Sequence, residues 1–272
     1  MRLLALTAAF AVSLAVGAPA APAAGDPHVV GTFAMSGVVT KAYNVRGEYR
    51  GQRVKRTWLF KAICSVPASC ERLVVTRVRG AGMSDTITLR RVSTGLYKGT
   101  GTYAIPLECG GEQLPAGGSG RYSLAVHIRK SQRVQKVRFA TRIAADYKSL
   151  SRVNHTRCPG LLGADAASYR GRAVAVPGRP SATFTYTRAS IQVPTFSFED
   201  TSATGRGGAA IVSRHWDFGD PSSAAANADS SATPSHTYLT PGVHTVTLTI
   251  TDANGLTATN SRQLDASSNP AG

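Results

Sequence analysis

The four cysteines are the residues whose number and spacing point most directly to chemistry: Cys64, Cys70, Cys109 and Cys158. An even number of cysteines in an exported chain favours disulfides. Three pairings are possible, and we favour a short loop closed by Cys64–Cys70 and a long one closed by Cys109–Cys158. A metal site needs closer cysteine pairs with histidines nearby. We therefore expect structural disulfides, no metal site and no cofactor.

Acid–base and nucleophilic groups are sparse in the first two thirds of the chain. His127 lies mid-strand, out of phase with its apolar neighbours, so we expect it to face solvent. Glu108 and Glu112 have the residue types of a glycosidase pair, but in a turn beside a cysteine they are expected to be solvated. No Gly-x-Ser-x-Gly, His-Glu-x-x-His or phosphate-binding glycine loop is present. We predict no catalytic residues; the alternative is a secreted hydrolase with its site in this region.

The first residues have the layout of a secretory signal peptide. Met1-Arg2 is positively charged, 3–16 is apolar apart from two hydroxyl residues, and small residues follow at 18–23. The apolar run is shorter than the roughly 20 residues that a membrane-spanning helix needs. We predict a signal peptide at 1–24 and a secreted, extracellular protein, free or associated with the cell surface. No stable membrane insertion is expected.

The positive charge is concentrated before Pro177. The chain has 31 Lys and Arg against 15 Asp and Glu, but only five of the basic residues and seven of the acidic ones lie from Pro177 onward. Such a field attracts polyanions, although the same charge also keeps a secreted β-protein soluble. The basic residues are spread over many strands. We expect an anionic cell-wall or matrix polysaccharide, or an extracellular protein, as partner, and we do not expect nucleic acid.

Short segments of alternating apolar and polar residues fill the region between 25 and 176. Glycine-rich turns divide these segments, including 80–82, 110–111 and 115–120. The pattern predicts an all-β domain, an antiparallel barrel or a sandwich. The least strand-like part, Asp146–Tyr169, is expected to hold a short helix or a long loop. The prolines and glycine of Val176–Pro180 predict a linker at 177–180, followed by a second domain at 181–266 and a tail at 267–272.

In the second domain, the strand Gly242–Asp252 shows the clearest alternation. Val246, Leu248 and Ile250 share one face, which is expected to pack in the core, and threonines fill the other. Asn254-Gly255 then predicts a tight turn into the last strand.

One group of motifs in this domain resembles a known family, the PKD domain. The resemblance covers roughly 178–266 and rests on Trp216, Asp217, Phe218, Gly219, Asp220, His236, Tyr238 and Gly242. It implies an immunoglobulin-like β-sandwich of the kind common in exported proteins. It also implies that Trp216 packs between two sheets, that Gly219 and Asp220 form a turn, and that the Tyr238 hydroxyl is hydrogen-bonded. The chain departs from the family at Pro221, where glycine is usual.

The carboxylates of Asp217, Asp220 and Asp252 have the residue type of a calcium site, but their spacing favours turn and edge-strand hydrogen bonding. Taken together, the sequence predicts a secreted, non-catalytic binding or adhesion protein. Its PKD-like module would mediate protein or carbohydrate contacts, and its basic β-domain would bind an anionic cell-wall polymer.

Overall fold

The computed structural model describes residues 26–45, 47–64, 70–78, 83–158, 163–190, 193–220 and 228–267. The predicted signal peptide lies outside these residues, as does the tail after Ser267. The predicted all-β class is confirmed, because the described residues form strands joined by turns and loops. In this part of the chain, no helix has the length and hydropathy needed to cross a membrane.

Eight antiparallel strands close into a barrel in the N-terminal domain. Each strand pairs with the next along the chain, and β1 also pairs with β8 to close the ring. The strands are β1 (Gly31–Tyr43), β2 (Arg53–Cys64), β3 (Cys70–Val78), β4 (Ser84–Ser93), β5 (Leu96–Cys109), β6 (Glu112–Val134), β7 (Val137–Asn154) and β8 (Ala164–Ala173). Side chains therefore alternate between the barrel interior and its outer surface.

Apolar side chains fill one end of this barrel, the end at which the chain enters β1 and leaves β8. They include Phe33, Phe60, Leu73 and Tyr97, which are at most 2 % exposed. The Tyr97 hydroxyl donates a hydrogen bond of 2.8 Å to the carbonyl of Cys70, and burial raises the pKa of Tyr97 to about 12. This end is a packed core, so any internal site must lie at the other end.

Two sequence predictions about the strands are wrong. Most of Asp146–Tyr169 is strand and not helix or loop, because β7 continues to Asn154 and β8 begins at Ala164. The small residues of β8 have low strand propensity, but pairing with both β1 and β7 overrides it. The predicted turn at 115–120 lies within β6 and pairs with β5. Its glycines provide space for side chains of the neighbouring strands.

The C-terminal domain is a sandwich of two sheets. One has the order β13-β10-β9 and the other β12-β11-β14-β15. The strands are β9 (Phe184–Ser190), β10 (Thr195–Asp200), β11 (Ile211–Asp217), β12 (Ala228–Asp229), β13 (Ser235–Thr237), β14 (Val243–Asp252) and β15 (Thr257–Asp265). Val246, Leu248 and Ile250 are fully buried on one face of β14, as their alternation predicts.

Candidate functional sites

A cavity of about 570 Å³ opens at the barrel end that carries the β1–β2 loop. We call it the barrel cup. Side chains of β2, β3, β5, β7 and β8 line it, together with residues of that loop. Its charged and aromatic lining consists of Glu48, Arg56, Trp58, Arg77, Tyr103, Tyr147, Arg152, Asp165 and Tyr169. The barrel thus has a packed apolar end and an open polar, aromatic end.

Arg77, at the floor of the barrel cup, forms a buried ion pair with Asp85 of β4. The Arg77 guanidinium donates to both carboxylate oxygens of Asp85, at 2.8–3.1 Å, and each side chain is 6 % exposed. The Tyr122 hydroxyl also donates to Asp85. Arg77 stacks on the Tyr122 ring, with its Cζ atom 3.9 Å from the ring centroid. Burial raises the pKa of Tyr122, so its hydroxyl stays protonated and remains a donor.

A second ion pair lies on the wall of the barrel cup. Arg152 Nη2 donates to Asp165 Oδ1 at 2.6 Å, and the Tyr147 hydroxyl lies 3.4 Å from the same oxygen. Both charged side chains are 12 % exposed, so they are reachable from the cavity. Burial raises the pKa of Glu48, and the negative charge of Asp165 raises it further.

Three tyrosine rings of the interior lie against glycines of neighbouring strands. Tyr169 is opposite Gly37, and Tyr103 is opposite Gly120. A Cβ atom at Gly37 would lie 2.4 Å from the Tyr169 ring, and one at Gly120 would lie 2.5 Å from Cζ of Tyr103. Tyr122 has the same relation to Gly101. The missing side chains let the rings lie along the wall, which keeps the lumen open.

The disulfides join Cys64 to Cys70 and Cys109 to Cys158, the pairing favoured from the sequence. His28 brings a ring nitrogen close to Cys64 and Cys70, with the three possible ligand atoms within 4.8 Å of one another. The two sulfurs are bonded to each other, so they are not available as thiolate ligands.

The catalytic candidates considered from the sequence do not meet in a common site. Glu108 and Glu112 are exposed beside the β5–β6 turn. His127 is half-exposed and lies out of phase with the buried Val126 of the same strand. Another histidine of the barrel domain, His155, is exposed, and its Nε2 lies 2.9 Å from the Ser119 hydroxyl. None of these residues lines the barrel cup.

Cationic side chains form two rows on the outer surface of the barrel. In one row, Arg142 is the direct cross-strand partner of both Lys130 and Arg172. In the other row, Arg90 is the direct partner of both Arg72 and Lys98. All six are exposed, and in the described part of the chain no salt bridge neutralises them. We call these two groups the cationic rows.

The motif residues of the C-terminal domain lie in and around its core. Trp216 is fully buried between the sheets and contacts the rings of Phe184 and Phe198, with centroids 5.1 and 5.6 Å away. Its indole N–H donates to the carbonyl of Ser231 at 2.9 Å. The Phe218 ring stacks on the His236 ring, with centroids 4.5 Å apart.

Hydrogen bonds hold the turn that follows Trp216. The Tyr238 hydroxyl donates to the carbonyl of Phe218 at 3.0 Å. Asp217 accepts the backbone N–H of Gly219, which has a φ of 69° and so occupies the left-handed region that glycine tolerates. Asp220 is buried, with one carboxylate oxygen 3.1 Å from Nε2 of His236. Gly242 also has positive φ, 135°, in the turn before β14.

Asp252 has a structural role at the β14–β15 turn. Its Oδ1 atom accepts the backbone N–H groups of Asn254 and Leu256, each at 2.9 Å. Burial raises its pKa, which disfavours the charged form that calcium requires. Among the described residues, Asp217, Asp220 and Asp252 do not share a cluster of ligand atoms.

The fold and the tryptophan-centred core define the C-terminal domain as an immunoglobulin-like sandwich. Residues 178–266 match the family model of the PKD domain, so this third of the chain is a PKD domain. Such domains are typical of extracellular proteins, often as accessory modules.

Solved structures of PKD domains are similar to this part of the chain. The PKD1 domain of the Vibrio cholerae metalloprotease PrtV is 27% identical, over 33% of this chain and 99% of that one, with a TM-score of 0.28. The PKD1 domain of Vibrio anguillarum Epp is 28% identical, over 34% and 98%, with a TM-score of 0.29. No curated protein matches the chain.

The charged residues of the barrel cup were not predicted from the sequence. One signal was present: Arg77 lies in phase with Leu73 and Val75, so strand alternation places it inside. A charged residue on the inner face of a strand has to be paired. Its partner Asp85 is on the next strand, and the sequence does not show the register that joins them.

Proposed function

We propose that this chain is a secreted, non-catalytic binding protein whose basic barrel binds an anionic cell-wall or matrix polysaccharide. In this proposal the PKD domain is the accessory module, which contacts protein or carbohydrate or acts as a spacer. The occurrence of PKD domains in extracellular proteins supports the place of action.

The cationic rows are the observation that carries the proposal. Like charges directly opposite each other in a sheet destabilise it, and neighbouring strands are only about 4.8 Å apart. Three cations in a row therefore repel one another unless an anion lies across them. The centres of the two rows are three strands apart around the barrel, so a flexible polymer can contact both sides.

A carboxylate polysaccharide fits the rows better than nucleic acid does. The rows contain no aromatic side chain on which bases could stack, and stacking is the usual complement of charge in single-stranded nucleic-acid binding. Repeated carboxylates on a flexible chain need only point charges at short intervals. The rows supply these in groups of three.

Salt-gradient elution of the full chain from immobilised polygalacturonate tests the proposal. We expect retention on this resin and none on neutral dextran, with elution as salt screens the contacts. The variant Arg90→Gln/Arg142→Gln, which removes both row centres, should elute at clearly lower salt. The control Lys41→Gln/Arg157→Gln removes two exposed charges outside the rows and should elute near the parent.

Three results would contradict the proposal. One is the absence of retention on polygalacturonate. Another is equal elution of the row variant and the control, which would show that only net charge matters. The third is clearly stronger retention on immobilised single-stranded DNA than on the polysaccharide at the same salt concentration.

A further inference from the structure

The barrel cup is a built cavity that surface binding to a polymer does not use. Its volume of about 570 Å³ is in the range of pockets that hold a small ligand. The tyrosine rings of its wall occupy the space that a side chain would take at the glycines opposite them. A glycine at each of these positions weakens the strand. The paired glycines and tyrosines therefore lower the stability of the strands but leave space inside the barrel.

The polar groups of the cup are already neutralised in pairs. Arg77 is paired with Asp85 and Arg152 with Asp165, while Glu48 and Arg56 lie near the mouth. Three arginines and two carboxylates line the cup, and Asp85 neutralises Arg77 from outside the lining, so a strongly charged ligand meets repulsion as well as attraction. A purely apolar ligand would cover charges without giving them hydrogen-bond partners, which is costly.

A neutral ligand with many hydroxyl groups avoids the charge repulsion and still gives hydrogen-bond partners to the charged side chains. Each hydroxyl donates to a carboxylate and accepts from a guanidinium, and Arg152 and Asp165 present these two groups side by side, 2.6 Å apart. Neighbouring hydroxyls of a sugar ring match such a donor–acceptor pair. The C–H faces of the ring can pack on the aromatic rings that line the cup, such as Tyr103 on β5 or Tyr169 on β8.

We propose that the barrel cup binds a neutral saccharide of one or two rings. Arg152 and Asp165 hydrogen-bond adjacent hydroxyls, and a tyrosine ring of the lining packs against the sugar ring. Arg56 and Glu48 contact the sugar at the mouth of the cup. This site is separate from the cationic rows, which face outward, so either proposal can fail without the other.

The full chain is tested by saturation-transfer NMR and calorimetry against glucose, galactose, N-acetylglucosamine, cellobiose and chitobiose. We expect at least one to bind, with an affinity that salt leaves nearly unchanged because the ligand is uncharged. Asp165→Asn should weaken binding about tenfold or more, since a hydrogen bond to a charged group is lost. Asp146→Asn is the matched control, because Asp146 is exposed on the neighbouring strand.

Arg56→Gln provides a second variant that does not depend on a buried ion pair. The only described hydrogen bond of its side chain is to the adjacent backbone carbonyl of Lys55, so the variant should fold like the parent and bind more weakly. The proposal is overturned if no saccharide of the panel binds the folded parent protein. It is also overturned if both cup variants bind as well as the control, or if galacturonate alone binds.

Discussion

The substitution Arg77→Met tests the buried ion pair at the floor of the barrel cup. It removes three hydrogen bonds to Asp85 and the stacking on Tyr122, and leaves a carboxylate that is 6 % exposed without its counter-ion. Breaking such a pair from one side costs about 3–5 kcal/mol. With a urea m-value of about 2 kcal/mol/M, the unfolding midpoint of the barrel should fall by roughly 2 M.

Removing Arg77, Asp85 and Tyr122 together should restore most of that loss. In Arg77→Met/Asp85→Leu/Tyr122→Phe the described donors to Asp85 are removed together with their acceptor, and apolar replacements of buried ion pairs are often neutral or stabilising. The chain has two tryptophans, Trp58 in the barrel and Trp216 in the PKD domain. Urea unfolding followed by fluorescence in a Trp216→Phe background therefore reports on the barrel alone.

A matched control separates the ion pair from a general effect of losing an arginine. Arg121 is exposed on the strand that carries Tyr122, and its cross-strand partners Thr102 and Ser151 are uncharged, so Arg121→Met should change stability by no more than about 0.5 kcal/mol. The reasoning is refuted if Arg77→Met costs less than about 1 kcal/mol. It is equally refuted if the triple variant is no more stable than the single one.

Two further predictions concern the disulfides and the acid response of the PKD domain. The Cys109–Cys158 and Cys64–Cys70 disulfides close loops with sequence separations of 49 and 6 residues. From loop-closure entropy, Cys109→Ser/Cys158→Ser should lose about 4 kcal/mol of barrel stability and Cys64→Ser/Cys70→Ser about 2 kcal/mol. Similar urea midpoints for the two double variants would contradict the entropic account. Burial alone would raise the pKa of Asp200, but hydrogen bonds from its neighbours outweigh it and lower the pKa. The contribution of Asp200 to the stability of the PKD domain is therefore complete above its unfolded-state pKa of about 3.9. It is lost as the pH falls through the lower pKa of the folded state. Asp200→Asn should make PKD stability, read from tryptophan fluorescence in a Trp58→Phe background, less dependent on pH between about 5 and 2; an unchanged dependence would show that Asp200 contributes nothing.

The sequence predicted the PKD domain in more detail than the barrel. Its signals are local, because Trp216–Asp220 lies on one strand and the turn that follows it. The structure places the Trp216 ring in the core and the Tyr238 hydroxyl on the carbonyl of Phe218, in line with the resemblance. The eighth barrel strand was missed because its alanines and glycine carry no strand signal, and it is strand only because β1 and β7 pair with it.

Two features of the barrel depend on register and ring closure. The cationic rows exist because pairing places Lys130, Arg142 and Arg172 directly opposite one another, and a shift of one residue would turn their side chains inward. The barrel cup exists because the pairing of β7 with β8 brings Arg152 to Asp165, and because ring closure between β1 and β8 places Tyr169 over Gly37.

By itself, the sequence determined the all-β class, the distribution of charge and the identity of the C-terminal domain. Alternation, composition and short motifs are properties of residues close together in the chain, so they can be interpreted without coordinates. The tertiary structure alone decided which charges are paired inside the barrel, which remain opposed outside it, and where a cavity is left. These depend on contacts between strands whose register no local pattern specifies.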